Sequence, residues 1–217
     1  MTKNSHNDFV IKNGTLIGDF ENLYQSFDDP WSQSKFSDEL DAQRALIFNS
    51  CRRIRKEFYL NRVVELGCGF GIFADFLRRD GFAAVGIDIA DSAINRARDE
   101  HPETIFIQGD IGDFERIEQF DPEIYLMMEI TWYVLDQIDS FIEKLKIKAA
   151  AQEKPIFLIH LLSTYAPGKQ QYGKEMFTNL DEILCHFSLN YTEYAELTFN
   201  YSDADPAIGT YFTAKIE

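Results

Sequence analysis

The residues with the clearest chemical potential are Glu65-Leu66-Gly67-Cys68-Gly69-Phe70-Gly71, a short apolar run that ends in a glycine-rich turn and leads into an amphipathic stretch. Glycines permit a sharp turn and let backbone N–H groups approach a ligand closely. The helix that follows adds a partial positive charge suited to a carboxylate or phosphate. The spacing is G-x-G-x-G, whereas a dinucleotide fingerprint reads G-x-G-x-x-G. No Gly-Lys-Ser/Thr follows, so this is not a Walker loop. Glu65, two residues before the first glycine, opposes a pyrophosphate but suits an ammonium group. The turn therefore fits a ligand with a carboxylate and an amine, as in an amino acid.

Two further acids occupy matching places. Asp88 closes the second apolar run, where a carboxylate accepts hydrogen bonds from two ribose hydroxyls. Asp110 follows the third, in Gln108-Gly109-Asp110-Ile111. An amino acid, a ribose and a base together describe S-adenosylmethionine; the alternative is that the three acids cap helices or solvate loops. Residues 62–162, with Glu65 to Gly71 as the glycine motif, resemble a class I S-adenosylmethionine-dependent methyltransferase. That resemblance implies a seven-stranded sheet with its last strand inserted antiparallel. It places Glu65, Gly67, Cys68, Gly69 and Gly71 at the methionine moiety, Asp88 at the ribose and Asp110 at the adenine amino group. Ile89 and Ile111 would then line the adenine.

The opening Leu23-Tyr24, Asp29-Pro30-Trp31 and Arg44, with Glu129 to Leu135, is similar to nodulation-type small-molecule N-methyltransferases, whose N-terminal segment folds over the cofactor. Trp31 joins the expected cofactor contacts, as does Glu129, which follows the fourth strand with Trp132 and Tyr133 where the chemistry would happen. Trp31 is read equally well as a core anchor between helices.

Methyl transfer from a sulfonium is an in-line displacement in which positioning supplies most of the rate. A base is needed only where the acceptor holds a proton. The catalytic candidates are Tyr133, which either orients an acceptor or packs, and His160, which is either a general base or a hydrogen-bonded core residue. The stretch from Ser163 to Thr178, carrying Tyr165, Lys169, Gln170, Gln171, Tyr172 and Lys174, is expected to wall the acceptor pocket and give an anionic acceptor a local site; otherwise it is a surface excursion.

These side chains need a frame, and the alternation of elements supplies one. Strands are expected at 62–66, 82–88, 104–108, 123–128 and 155–162. Helices are expected from Ser37, as N-cap, to Tyr59, at 72–80 and at 91–100 with Asp91 as cap. An amphipathic stretch spans Trp132 to Lys148. Crossover helices between parallel strands require this order. After a helix at 180–187, strands at 191–199 and 208–216 are joined by a link too short for a crossover, so they pair antiparallel. The expected architecture is a Rossmann-like three-layer α/β/α sandwich, mostly parallel and seven-stranded, with one antiparallel strand near the C-terminus. Residues 1–60 form an N-terminal cap or lid on a core of residues 61–217, a single domain overall.

With 217 residues the chain can bury a substantial core. A formal charge of -15 repels phosphate backbones and argues against nucleic acid as a substrate, although such acidity also serves solubility. Cys51, Cys68 and Cys185 show no metal-ligand spacing and read as reduced thiols of a cytoplasmic protein. No apolar run approaches the length of a membrane span. The expected partner is a small-molecule acceptor methylated on N or O, such as an amino-sugar or biosynthetic intermediate, with no nucleic acid, membrane or metal involved; the chain is a monomer or homodimer. A dinucleotide-dependent oxidoreductase and a non-catalytic cofactor-binding module of the same fold are the alternatives.

Overall fold

The computed structural model describes residues 5–36, 40–165, 169–170, 172–199 and 207–217. A hairpin of β1 (Ile11–Lys12) and β2 (Thr15–Leu16) and a short helix α1 (Phe20–Ser26) open the chain. Helix α2 (Ala42–Phe58) precedes an alternating series: β3 (Arg62–Leu66), α3 (Ile72–Arg79), β4 (Ala83–Asp88), α4 (Asp91–Glu100) and β5 (Ile105–Gln108). It continues through α5 (Phe114–Glu118), β6 (Ile124–Met128), α6 (Ile138–Ala150) and β7 (Ile156–Thr164), then α7 (Leu180–Phe187), β8 (Asn190–Phe199) and β9 (Ala207–Ile216).

The main sheet has seven strands in the order β5-β4-β3-β6-β7-β9-β8. Strands β5, β4, β3, β6 and β7 pair in parallel. Strand β9 runs antiparallel to both β7 and β8, the arrangement that the short link between the last two strands demanded. This is the three-layer Rossmann-like sandwich expected from the alternation. The chain leaves β3 toward β4 on one side and returns as β6 on the other. That reversal opens a crevice at the carboxyl ends of the strands, where ligands of such sheets bind.

Strands buried on both faces read as continuous apolar runs. Ile47, Cys51 and Ile54 of α2 and Phe73 and Leu77 of α3 cover one face. Phe141, Ile142 and Leu145 of α6 and Ile183 and Phe187 of α7 cover the other. Before α2, Phe9, Val10 and Leu23 form a small separate core, against which Phe20, Phe27, Trp31 and Tyr133 pack. Glu21 of α1 ties this segment to α4 by accepting the Ser92 N–H at 3.1 Å. Cys51, Cys68 and Cys185 are free thiols, and no helix among the described residues is long and apolar enough to cross a membrane.

Three local expectations change. Helix α2 starts at Ala42, and Asp41 caps it by accepting the Arg44 N–H at 2.7 Å; Ser37 lies outside the described residues. The cap position of α4 is Ala90, and Asp91 occupies the first turn, where it accepts from Asn95 at 2.9 Å. The stretch from Trp132 to Lys148 is not one helix. A single turn at Thr131–Tyr133 is followed by α6, so Val134, Asp136 and Gln137 reach the crevice instead of continuing a helical face.

Candidate active site

One cavity of about 630 Å³ lies over the carboxyl ends of β3, β4, β6 and β7. Glu65, Gly67, Asp88, Ile89, Asp110, Ile111, Glu129, Tyr133 and Trp31 all line it. Cys68, Gly69 and Gly71 build the turn beneath without lining the cavity. Gly67 and Gly71 need their residue type. Both have left-handed φ, 69° and 74°, and a Cβ would stand 2.2 Å from Ile130 at the first and 2.2 Å from the Phe106 ring at the second.

Asp88 braces the turn as it enters the cavity: its Oδ2 accepts the Gly69 N–H at 2.8 Å and its Oδ1 the Ala90 N–H at 2.9 Å. Burial raises its pKa against the pull of those N–H groups. Burial also pushes Glu65 up to about 8, with the nearby Arg44 guanidinium pulling the other way. Glu65 Oε2 is buried and has no hydrogen-bond partner. A buried carboxylate oxygen left unmatched costs free energy unless a ligand donor meets it. Asp110 Oδ1 accepts the Gly112 N–H at 2.7 Å.

The roof comes from the N-terminal segment. Trp31 leans on Tyr133, with ring centroids 5.6 Å apart, and His6 meets it edge-on at 4.4 Å. Phe20 meets Tyr133 edge-on at 5.3 Å. Gln33 reaches the glycine turn, where its Oε1 accepts the Phe70 N–H at 3.0 Å. Arg44, one turn into α2, lines the cavity and pairs with Asp41 at 2.8 Å. Gln33 was not singled out in the sequence and Arg44 only through a resemblance, because nothing local marks either as a cavity residue.

His160 does not face the cavity. It is wholly buried, stacked on Phe212 at 4.6 Å, with Nε2 bonded to the Thr131 hydroxyl at 2.7 Å. Burial holds its pKa down to about 3. The imidazole is thus neutral and does not line the cavity, which fits the hydrogen-bonded core residue of the two readings. The acceptor wall is also narrower than expected. Ser163, Thr164 and Tyr165 line the cavity, whereas Lys169 and Lys174 are exposed and stand outside its wall. Gln170 is turned inward and donates to the carbonyls of Tyr172 and Phe177, both at 3.0 Å; Gln171 lies outside the described residues.

Residues 63–150 match the family model of a methyltransferase domain. That stretch, 88 of the chain's 217 residues, is similar to a class I methyltransferase domain. S-adenosylmethionine is the cofactor of that class, and when bound it supplies an electrophilic methyl group on a sulfonium. A comparison with curated protein sequences finds no match. Among solved structures, the PH0226 protein of Pyrococcus horikoshii OT3 superposes with a TM-score of 0.60 at 15% identity, over 91% of this chain and 100% of that one. Magnesium protoporphyrin IX methyltransferase from Synechocystis PCC 6803, crystallised with bound SAM, gives 0.56 at 11% identity, over 91% and 95%. The bifunctional kinase-methyltransferase WbdD gives 0.56 at 17% identity over 84% of this chain, which spans only 42% of that protein. At such identities the likeness is one of fold.

The cavity suits such a cofactor on its own terms. The unmatched Glu65 oxygen awaits a donor such as an ammonium, and the carboxylate-lined wall would repel a pyrophosphate.

Proposed function

We propose that this methyltransferase holds S-adenosylmethionine across β3, β4 and β5 and methylates N or O of a small-molecule acceptor. One observation carries the reading. Three strand-end carboxylates, Glu65, Asp88 and Asp110, line one cavity, and the first is buried with an unpartnered oxygen. In this assignment Glu65 receives the amino group, Asp88 the ribose hydroxyls, Asp110 the adenine edge, and Ile89 and Ile111 the adenine faces. Residues 1–60 act as a lid on the core of 61–217; Phe20, Trp31 and Gln33 already line the cavity from above. Tyr133 and Trp31 flank the place where an acceptor would meet the methyl group. Rate enhancement then comes from holding acceptor and methyl group in line within a roofed cavity. The chain's acidity supports a small acceptor over nucleic acid, and its free thiols agree with a cytoplasmic setting.

Calorimetric titration with S-adenosylhomocysteine tests this reading, with NADH as the control. Micromolar binding of the first and none of the second is the expected result. Binding of NADH alone would replace the assignment with a dinucleotide enzyme.

A further inference from the structure

Glu129 stands apart from the other cavity acids in its backbone and in its place at the ends of β6 and β7. Its backbone occupies the left-handed region at φ 59°, which a residue with a long side chain adopts at a cost. Three hydrogen bonds hold it there. Its N–H donates to the Leu161 carbonyl at 2.8 Å. Its carboxylate accepts the Ser163 N–H and the Ser163 hydroxyl, both at 2.8 Å. Each carboxylate oxygen keeps a second lone pair. Tyr133, in the turn that follows β6, lines the same cavity, and burial reinforced by the Glu129 charge raises the pKa of its phenol. The carboxylate is therefore fixed across the ends of β6 and β7 in the cavity wall, next to the β3 end and away from the β4 and β5 ends over which the cofactor reading extends.

The charge around it is lopsided. Among the described residues, Asp88, Asp110, Glu129 and Asp136 line the cavity, beside a Glu65 that burial keeps protonated, against Arg44 as the one cation. That guanidinium is itself shared: it pairs with Asp41 at 2.8 Å, and its charge pulls the pKa values of Glu65 and Glu129 down against their burial. Lys169 and Lys174, the cations that were to attract an anionic acceptor, stand outside the wall. A cavity of this sign repels anions and concentrates cations.

Resting on the methyltransferase reading above, we infer that Glu129 and Tyr133 form the recognition site for the acceptor's nucleophile, and that this nucleophile is an amine that arrives protonated. The Glu129 carboxylate binds the ammonium and takes one proton from it. The electrons of the broken N–H bond stay on nitrogen as the lone pair that methylation requires, and the carboxylate becomes a carboxylic acid. Burial raises the pKa of Glu129, opposed by its Ser163 bonds and by Arg44 and reinforced by Asp41, which narrows the gap across which that proton moves.

The test uses three probes of one shape and different charge, benzylamine, benzyl alcohol and benzoate. Each is titrated by tryptophan fluorescence into protein saturated with S-adenosylhomocysteine. Benzylamine should bind at least about tenfold more tightly than the other two, the worth of one charge-assisted hydrogen bond. Glu129→Gln should remove that preference, and Glu129→Asp, which keeps the charge and tolerates a left-handed backbone, should restore part of it. Equal or tighter binding of benzoate, no detectable binding of benzylamine at millimolar concentration, or a preference that survives Glu129→Gln would each overturn the proposal. Failure of S-adenosylhomocysteine itself to bind would instead strike at the methyltransferase reading on which the proposal rests.

Discussion

The Asp88 carboxylate holds the middle glycine of the turn, its Oδ2 accepting the Gly69 N–H at 2.8 Å, so one side chain both shapes the loop and faces the cavity. The same group satisfies the Ala90 N–H. Asp88→Ala strips two buried donors of their acceptor and should cost about 2 kcal/mol or more of stability, read from a denaturant midpoint. Asp88→Asn retains one acceptor and should cost less, yet weaken S-adenosylhomocysteine binding by at least about tenfold. Wild-type affinity in Asp88→Asn would reduce Asp88 to a brace for the loop.

The glycines of the turn should not respond alike. A Cβ on Gly71 meets the Phe106 ring, which is buried in the core, whereas a Cβ on Gly69 meets the end of the flexible Gln33 side chain. Both substitutions to alanine carry the left-handed backbone penalty of about 1 kcal/mol, and only Gly71→Ala adds overpacking. Gly71→Ala should therefore lose roughly 2–4 kcal/mol in urea unfolding and Gly69→Ala less, about 1–2 kcal/mol, part of it from the Gln33 bond to the Phe70 N–H that the new Cβ displaces. Equal losses would show that Gln33 is no more yielding than Phe106.

Features set by local pattern were legible in the sequence. Apolar runs punctuated by glycine, with an acid at the end of each of the first three, pointed to the sheet and to one wall of the cavity. The short link before β9 gave its antiparallel course. Features set by distant contacts were not. Gln33 meets the glycine turn 37 residues away, and Arg44 reaches the cavity only because α2 packs against the sheet. His160 could be read either way until Phe212 and Thr131 closed around it, because an apolar run does not say which end of a strand is open. The left-handed backbone at Glu129 has no sequence signal either, since glycine or asparagine would be the usual occupant.

His160 should matter for stability at low pH and not for proton transfer. Its pKa falls from 6.5 in the unfolded chain to about 3 in the fold, so the folded state favours the neutral ring. Its contribution is fully present above pH 6.5 and is lost as the pH falls from there toward about 3. His160→Gln, which keeps a partner for Thr131, should flatten that decline in thermal melts taken across the range. The pH dependence of methyl transfer should stay where it was in wild type; a displaced profile would return His160 to the chemistry.

Glu65 should report cofactor binding through a proton. In the ligand-free fold its pKa is raised from 4.5 to about 8, so it carries a proton at neutral pH, and the stability this group contributes is full below pH 4.5 and is lost as the pH rises from there to about 8. An ammonium placed against it favours the carboxylate and lowers that pKa. Binding of S-adenosylhomocysteine near pH 7 should then release up to one proton. Titrations in buffers of different ionisation enthalpy measure it, because the observed heat changes with the buffer in proportion to protons released. Glu65→Gln cannot ionise, so its binding heat should be independent of buffer and its affinity lower. Buffer-independent heat in the wild type would mean that the amino group is received elsewhere, and the unmatched oxygen of Glu65 would need another donor.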